Sequence, residues 1–136
     1  MGEQAAGKTA LRDFLRLTKA LADETRLRIV MALRGGELCA CQLIALLEMA
    51  PSTVSRHLYL LEQAGLVEKR KCGKWSYCRL AAGGAPVAVK RALAVVRDAL
   101  ATADRVARDQ ARLEAVKAMS LEDVCQPLSA RRRRRA

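Results

Sequence analysis

One stretch, from residue 51 to residue 65, has the clearest pattern in the sequence and reads Pro-Ser-Thr-Val-Ser-Arg-His-Leu-Tyr-Leu-Leu-Glu-Gln-Ala-Gly. Its apolar residues Val54, Leu58 and Leu61 recur at helical spacing, which predicts a helix with one buried face. Proline suits the first turn of such a helix, and glycine commonly follows its last. The opposite face is polar and comprises Ser52, Thr53, Ser55, Arg56, His57 and Tyr59.

Three further helices are expected upstream of this stretch. The first begins near Ala10, and the second is capped by Asp23 and ends at the glycine pair at residues 35–36. The third covers residues 37–47, because apolar residues recur there at helical spacing. Residues 48–50 then form a short turn, so that two helices follow each other closely.

Downstream of the stretch the pattern changes. Residues 66–80 contain two short β-prone runs around a loop with Gly73, which predicts a hairpin. Residues 81–86 are a linker of small residues, and residues 87–119 repeat apolar positions over one long, mildly amphipathic helix. The expected division is a flexible N-terminus at residues 1–9, a folded domain with flanking helices at residues 10–119, and a loose basic tail at residues 120–136.

The charge balance points to an anionic partner. The 136 residues carry 25 Lys and Arg against 14 Asp and Glu, a formal net charge of +11. Without the run Arg131–Arg135 the balance is still 20 to 14, or +6. Such an excess favours nucleic acid or an acidic membrane surface as partner. Aromatic residues make up only 3%, which argues against stacking platforms for single-stranded nucleic acid.

The sequence indicates a cytoplasmic protein. No apolar run approaches the roughly 18 residues of a membrane span, and the N-terminus lacks the apolar stretch of a signal peptide. We therefore expect no membrane contact, and we expect the cysteines to be reduced thiols rather than a disulfide frame. The cysteines are Cys39, Cys41, Cys72, Cys78 and Cys125.

Helix, short turn, helix and basic hairpin together predict a mostly α fold with a small β-hairpin wing, the winged helix-turn-helix. The second helix of such a fold presents short donors and acceptors to base edges and phosphates, as the polar face of the quoted stretch would. The hairpin adds Lys69, Arg70, Lys71 and Lys74, which suit phosphates beside the groove. A basic hairpin alone can be an ordinary solvated face, but its combination with the helix pair and the net charge favours double-stranded DNA.

Three segments resemble the ArsR/SmtB family of metal-sensing transcriptional repressors, and specifically its arsenic-sensing ArsR type. They are Ala-Asp-Glu-Thr-Arg-Leu-Arg-Ile-Val at residues 22–30, Glu-Leu-Cys-Ala-Cys-Gln-Leu at residues 37–43, and residues 52–67, followed by the basic wing through Tyr77. The resemblance covers roughly residues 10–80. It implies a homodimer, built from the first and last helices, that binds an inverted-repeat operator and leaves it when a metal binds.

Cys39 and Cys41 are the candidate metal ligands. An isolated pair of this spacing is commonly two small buried hydrophobes, but this pair lies at the expected start of a helix. Thiols at a helix N-terminus ionise more readily, and soft thiolates select thiophilic ions. Helical residues i and i+2 point about 200° apart. We therefore expect an ion to bind both cysteines only by distorting the first turn, which would move the next helix relative to the operator.

Family members with Glu-Leu-Cys-x-Cys in this helix sense trivalent arsenic and antimony, so the resemblance implies As(III) or Sb(III) as inducer. No cofactor is expected to be required for folding. The family form often has a third cysteine three residues after the second, a place that Ile44 occupies here. The candidates for a third ligand are Cys125, of this chain or of its partner, a wing cysteine, or an outside thiol or water. Cys125 is favoured over Cys72 and Cys78, which flank the wing, where no family motif places a ligand.

A second sensor site of the family, which binds zinc through Asp and His residues on the last helix, is not expected here. The single histidine, His57, lies in the quoted stretch, where a DNA-facing or capping role is expected. Asp98, Asp104 and Asp109 fit a solvated face.

Two alternatives to an arsenic-responsive repressor remain open. One is a repressor that senses oxidation or persulfide through the two thiols. The other is an arsenic-binding carrier without DNA binding, which would leave the polar helix face and the basic wing unexplained. An enzyme is not expected, because the sequence has no glycine-rich phosphate loop and no Ser-His-Asp set.

Overall fold

A computed structural model describes the backbone of residues 2–126 and the side chains of residues 10–126. The run Arg131–Arg135 therefore lies outside the described residues, with most of the expected basic tail. The helices and strands in chain order are α1 (Gly2–Leu21), α2 (Glu24–Leu33), β1 (Leu38–Cys39), α3 (Ala40–Leu47), α4 (Pro51–Gln63), β2 (Val67–Cys72), β3 (Trp75–Leu80), α5 (Val87–Leu100), α6 (Asp104–Lys117) and α7 (Leu121–Val124).

The mostly α fold with a small wing is confirmed. Helices α2, α3 and α4 surround a core in which Ile29, Leu43 and Leu61 are completely buried. Helix α3 ends at Glu48, which adopts the left-handed conformation with φ 54°, and Pro51 opens α4. The left-handed residue reverses the chain within three residues of α4, so the two helices form the expected helix-turn-helix.

The wing is the antiparallel hairpin of β2 and β3. Val67 pairs with Leu80 at its base and Cys72 pairs with Trp75 at its tip. Gly73 begins the two-residue loop with φ 61°, a conformation that tight hairpin turns require and that glycine adopts without strain. The basic residues of β2 therefore project from a regular, two-stranded ladder.

The helix expected over residues 37–47 begins later in the structure. Leu38 and Cys39 form the short strand β1, which pairs with Cys78 and Tyr77 of β3, and α3 starts only after it. The sheet order is β1-β3-β2. The strand forms because its backbone groups find partners on a segment far away in sequence, and it ties the start of α3 to the wing.

The single helix expected over residues 87–119 is wrong. The structure has two helices, α5 and α6, which are separated by a turn at residues 101–103. The turn lets α6 fold back onto α2 and α3, where Val106 and Leu113 join the main core. A straight helix would carry these apolar side chains away from that core, so burial favours the turn.

The two ends of the described chain are also more helical than expected. Helix α1 begins at Gly2 rather than near Ala10. In the segment expected to be a loose tail, the Ser120 hydroxyl accepts a hydrogen bond from the Asp123 N–H at 3.2 Å and caps α7. The division into residues 1–9, 10–119 and 120–136 otherwise stays a prediction. Among the helices of residues 2–126, none is both long enough and apolar enough to cross a bilayer.

Candidate metal centre and nucleic-acid interface

Helix α4 has the two faces expected from the sequence. Val54, Leu58 and Leu61 are buried against the core. The side chains exposed on the other side are Ser52, Thr53, Ser55, Arg56 and Tyr59. Hydroxyl and guanidinium groups on one exposed helix face can form hydrogen bonds to both base edges and phosphates.

His57 does not share that exposed face. Its side chain is 17% exposed, and its Nδ1 lies 3.2 Å from Nη1 of Arg26 and 3.9 Å from the Asp23 carboxylate. Arg26 is itself held by the carbonyl oxygen of Ala20, to which its Nε donates at 2.6 Å. His57 therefore joins α4 to the N-terminus of α2 through Arg26 and Asp23, and its expected DNA-facing or capping role stays a prediction.

The wing carries two kinds of basic residue. Lys69, Lys71 and Lys74 are exposed. Arg70 is also exposed, but it is engaged with Glu37, to which its guanidinium donates at 2.6 and 2.9 Å. This hydrogen bond lowers the pKa of Glu37 and raises the pKa of Arg70. The three lysines can therefore reach an outside anion, whereas Arg70 already has an acidic partner.

Three cysteines converge at the start of α3. The sulfur atoms of Cys39, Cys41 and Cys125 lie within 4.8 Å of one another. Cys39 is buried, and the other two are half-buried. Cys125 belongs to the same chain and follows directly after α7. The structure thus brings the Cys-x-Cys pair together with the thiol that the sequence favoured as its third partner, and we call these residues the thiol cluster.

The thiol cluster forms without any distortion of α3. Cys39 is the N-cap residue, with an extended backbone at φ −69° and ψ 144°, and its N–H donates to Oε1 of Gln42 at 2.8 Å. A divergence of about 200° applies only to two residues inside a regular helix. Because Cys39 lies outside the helix, its side chain can turn towards Cys41. The premise that both cysteines lie inside a regular helix is wrong, and unwinding of the first turn no longer follows from their spacing.

Two of the three sulfurs are bonded to each other. Cys41 and Cys125 form a disulfide across a sequence separation of 84 residues, with their Cα atoms 5.1 Å apart, while Cys39 stays a free thiol. The structure departs here from the expected reduced thiols, because the docking of α7 on α3 brings both sulfurs within bonding distance.

The two wing cysteines lie outside the thiol cluster. Cys72 is exposed, and Cys78 is buried in β3. Burial raises the pKa of Cys78 to about 11. Since the thiolate is the metal-binding form of cysteine, this thiol is a poor ligand at neutral pH.

Helices α6 and α7 bring Cys125 to its place. Val116 of α6 and Val124 of α7 pack with Ala45 of α3 in a small apolar cluster beside Cys41. The position of the third thiol therefore depends on contacts between the C-terminal helices and α3.

Asp109, expected on a solvated face, is buried. It is 7% exposed and pairs with Arg28 of α2, which is 8% exposed. Nε and Nη2 of Arg28 donate to the two carboxylate oxygens at 2.8 and 3.0 Å, and this pairing raises the pKa of Arg28. The burial of Asp109 could have been predicted from helical spacing, because Asp109 lies on the same face of α6 as Val106 and Leu113. An acid on a buried face needs a buried partner.

Comparison with known proteins places this arrangement in a family. Residues 23–69 match the model of the family described as "Bacterial regulatory protein, arsR family". Over 67 residues the chain is 51% identical to the arsenical resistance operon repressor of Escherichia coli K12, which amounts to 48% of this chain and 57% of that protein. The chain spans about half the length of the curated relatives it matches.

Solved structures extend the match to the fold. A homodimeric winged helix-turn-helix DNA-binding domain from Mycobacterium bovis, described as a possible ArsR-family transcriptional regulator, is 32% identical with a TM-score of 0.60, over 70% of this chain and 84% of that one. HlyU from Vibrio cholerae is 29% identical with a TM-score of 0.59, over 68% of this chain and 97% of that one. Family and fold are those of DNA-binding transcriptional regulators and not of enzymes. The chain belongs to the ArsR family of bacterial regulatory proteins.

Proposed function

We propose that the protein is a transcriptional repressor that binds an inverted-repeat operator as a homodimer and leaves it when As(III) or Sb(III) binds to the thiol cluster. The observation that carries this proposal is the convergence of three sulfurs within 4.8 Å at the start of α3. The similarity to a relative named for arsenical resistance supports the choice of inducer.

The chemistry of three thiols suits a trivalent metalloid. When As(OH)₃ enters, each thiol gives its proton to one hydroxyl group, three waters leave and three As–S bonds form. Soft thiolate ligands favour thiophilic ions of this kind over hard cations such as Mg²⁺. The Cys41–Cys125 disulfide must be reduced first, and the thiol systems of the cytoplasm, where we place the protein, do this.

The DNA contacts are assigned from exposure. The exposed hydroxyl groups of α4 supply donors and acceptors for base edges, while Arg56 and the exposed wing lysines neutralise phosphates. His57 and Arg70 are left out of this assignment, because both are already engaged within the chain.

Homodimer formation is assigned to α1 and α5. Leu11 and Phe14 of α1 are 63% and 55% exposed, and Val95 of α5 is 65% exposed. Beside them an apolar cleft of about 390 Å³ is lined by residues that include Leu17 and Val89. A second copy that covers this face removes apolar surface from water. It also gives the protein the two-fold symmetry that an inverted repeat requires.

The thiol cluster is connected to both DNA-contacting elements. Strand β1, which contains Cys39, pairs with the wing strand β3, and α3, which contains Cys41, packs against α4. A metalloid that draws the three sulfurs together therefore pulls on the wing and on α4 at once. A coupling free energy of about 1–3 kcal/mol between the two sites lowers DNA affinity 5- to 150-fold, which is enough for release.

The disulfide favours a second candidate function, a repressor that senses oxidation or persulfide through the same thiols. In that case oxidation of Cys41 and Cys125, and not metalloid binding, changes the affinity for the operator. The carrier without DNA binding is not proposed, because the family is one of DNA-binding regulators.

Mobility shifts with the DNA upstream of the protein's own gene distinguish these functions. We expect arsenite, but not zinc, to release the reduced wild-type protein. Cys39→Ser and Cys41→Ser should each keep DNA binding and lose the response, while Cys72→Ser, at an exposed cysteine outside the cluster, should respond like wild type. Release by arsenite from the Cys39→Ser/Cys41→Ser double variant would contradict the proposal. Release by peroxide alone would support the second candidate.

A further inference from the structure

Residues 104–125 form a C-terminal clasp, which consists of α6, α7 and the cysteine that follows them. The clasp lies outside residues 23–69, which match the family. It carries the one member of the thiol cluster that is not part of the Cys-x-Cys motif. Helix α6 contacts α2 and α3, and α7 contacts α3. The distance from Cys125 to the other two thiols is therefore set by how the clasp docks.

The apolar contacts of the clasp bind it without fixing its direction. Val116 and Val124 meet Ala45 of α3, and further apolar side chains of α6 reach the main core. Hydrophobic contact is non-directional. A helix held only in this way can rotate or slide by a fraction of a turn with little loss of buried area.

The Arg28–Asp109 ion pair adds a directional contact that orients α6 relative to α2. Its two parallel hydrogen bonds, at 2.8 and 3.0 Å, hold the Asp109 carboxylate of α6 in one orientation against the Arg28 guanidinium of α2. Both side chains are buried, so water does not compete for them. Arg112 of α6 also contacts α3, because it donates to the Ala45 carbonyl oxygen at 3.3 Å and pairs with Glu48. Its side chain is 46% exposed, so these contacts contribute less than the buried pair.

We propose that Arg28 and Asp109 are positioning residues for the third thiol, because their ion pair sets the docking of α6 that brings Cys125 to Cys39 and Cys41. This inference rests on the proposed function, in which all three thiols bind the metalloid. Loss of the Asp109 charge leaves the Arg28 guanidinium buried without its partner. Arg28 then turns towards water, and α6 shifts.

The test uses the full-length, reduced Asp109→Asn variant with arsenite as the probe. X-ray absorption should count two protein sulfurs around arsenic instead of three, as in Cys125→Ser. The affinity for arsenite should fall about 10- to 100-fold, the range for groups that orient a metal ligand. Without arsenite, iodoacetamide should alkylate Cys125 faster than in wild type, while affinity for the operator is retained.

Arg108→Met is the matched control, because it removes an exposed charge from the same helix. It should keep three sulfurs, wild-type affinity for arsenite and a slow reaction at Cys125. The inference is overturned if Asp109→Asn binds arsenic through three sulfurs with wild-type affinity. It is also overturned if the variant loses operator binding together with its helix content, since the pair would then serve the core and not the site. A wild-type protein that binds arsenite through three sulfurs without leaving DNA would end the proposed function and leave this inference standing.

Discussion

The buried thiol of Cys78 shows how a single side chain can make the stability of this protein depend on pH. Cys78 pairs with Leu38 across the β1–β3 ladder, next to Cys39, and has no solvent exposure. Burial raises its pKa from 9.0 to about 11. The folded state therefore holds the thiol proton more tightly than the unfolded chain does.

We expect Cys78 to lower the free energy of unfolding as the pH rises. Below pH 9.0 the thiol is protonated in both states; between pH 9.0 and about 11 mainly the unfolded chain ionises, so stability is lost over that window. Urea unfolding with a reductant should show the advantage of wild type over Cys78→Ala shrinking across the window. The exposed Cys72→Ser variant should follow wild type throughout. A difference between wild type and Cys78→Ala that stays constant across the window would contradict the assignment.

At the scale of elements, α4 and the wing could be predicted from the sequence because short-range signals define them. Pro51, the helical spacing and Gly65 bound α4, and Gly73 marks the turn of the hairpin. Strand β1 could not be predicted, because it exists only through its pairing with β3. The turn at residues 101–103 contains neither proline nor glycine, and it forms because α6 buries its apolar stripe on α2 and α3.

The sequence likewise predicts only part of the thiol cluster. The Cys39–Cys41 pair could be recognised from a local motif. Cys125 lies 84 residues beyond Cys41, and its approach depends on the docking of the clasp, so the sequence leaves it one candidate among several. The apolar face of α6 was the one local indication of that docking. Asp109 lies on this face, and a buried acid there predicts a buried partner on another helix.

The wing allows a prediction that separates its exposed lysines from Arg70, which is paired with Glu37. Lys71→Ala and Lys74→Ala should each weaken binding to operator and random DNA alike and reduce the log–log salt slope by about one per lost phosphate contact. Arg70→Ala should change the slope less, because Arg70 is held by Glu37. The measurement is the DNA affinity at several salt concentrations. A lysine variant that alters base preference with an unchanged slope would contradict the phosphate assignment.

At the scale of the whole molecule, the described residues of α1 and α5 expose apolar side chains, among them Leu11, Phe14 and Val95. Phe14 of α1 and Ala88 of α5 line the same apolar cleft, and contiguous exposed apolar surface marks an interaction site. In the proposed function a second copy of the chain covers these side chains, since an inverted repeat would present the same half-site twice.

Val95→Glu adds a charge to the exposed side of α5 without touching the core, because the Val95 side chain is 65% exposed. We expect a monomer by analytical ultracentrifugation, with unchanged helix content. Since a monomer contacts only one half-site, its operator affinity should fall about 100-fold or more. Ala107→Glu adds the same charge at an exposed position of α6 and should remain a dimer with wild-type affinity. A dimeric Val95→Glu protein would mean that the two copies meet elsewhere. A monomer that still bound the operator tightly would mean that one copy of α4 and its wing are sufficient for binding. That result would also contradict the argument for an inverted-repeat operator.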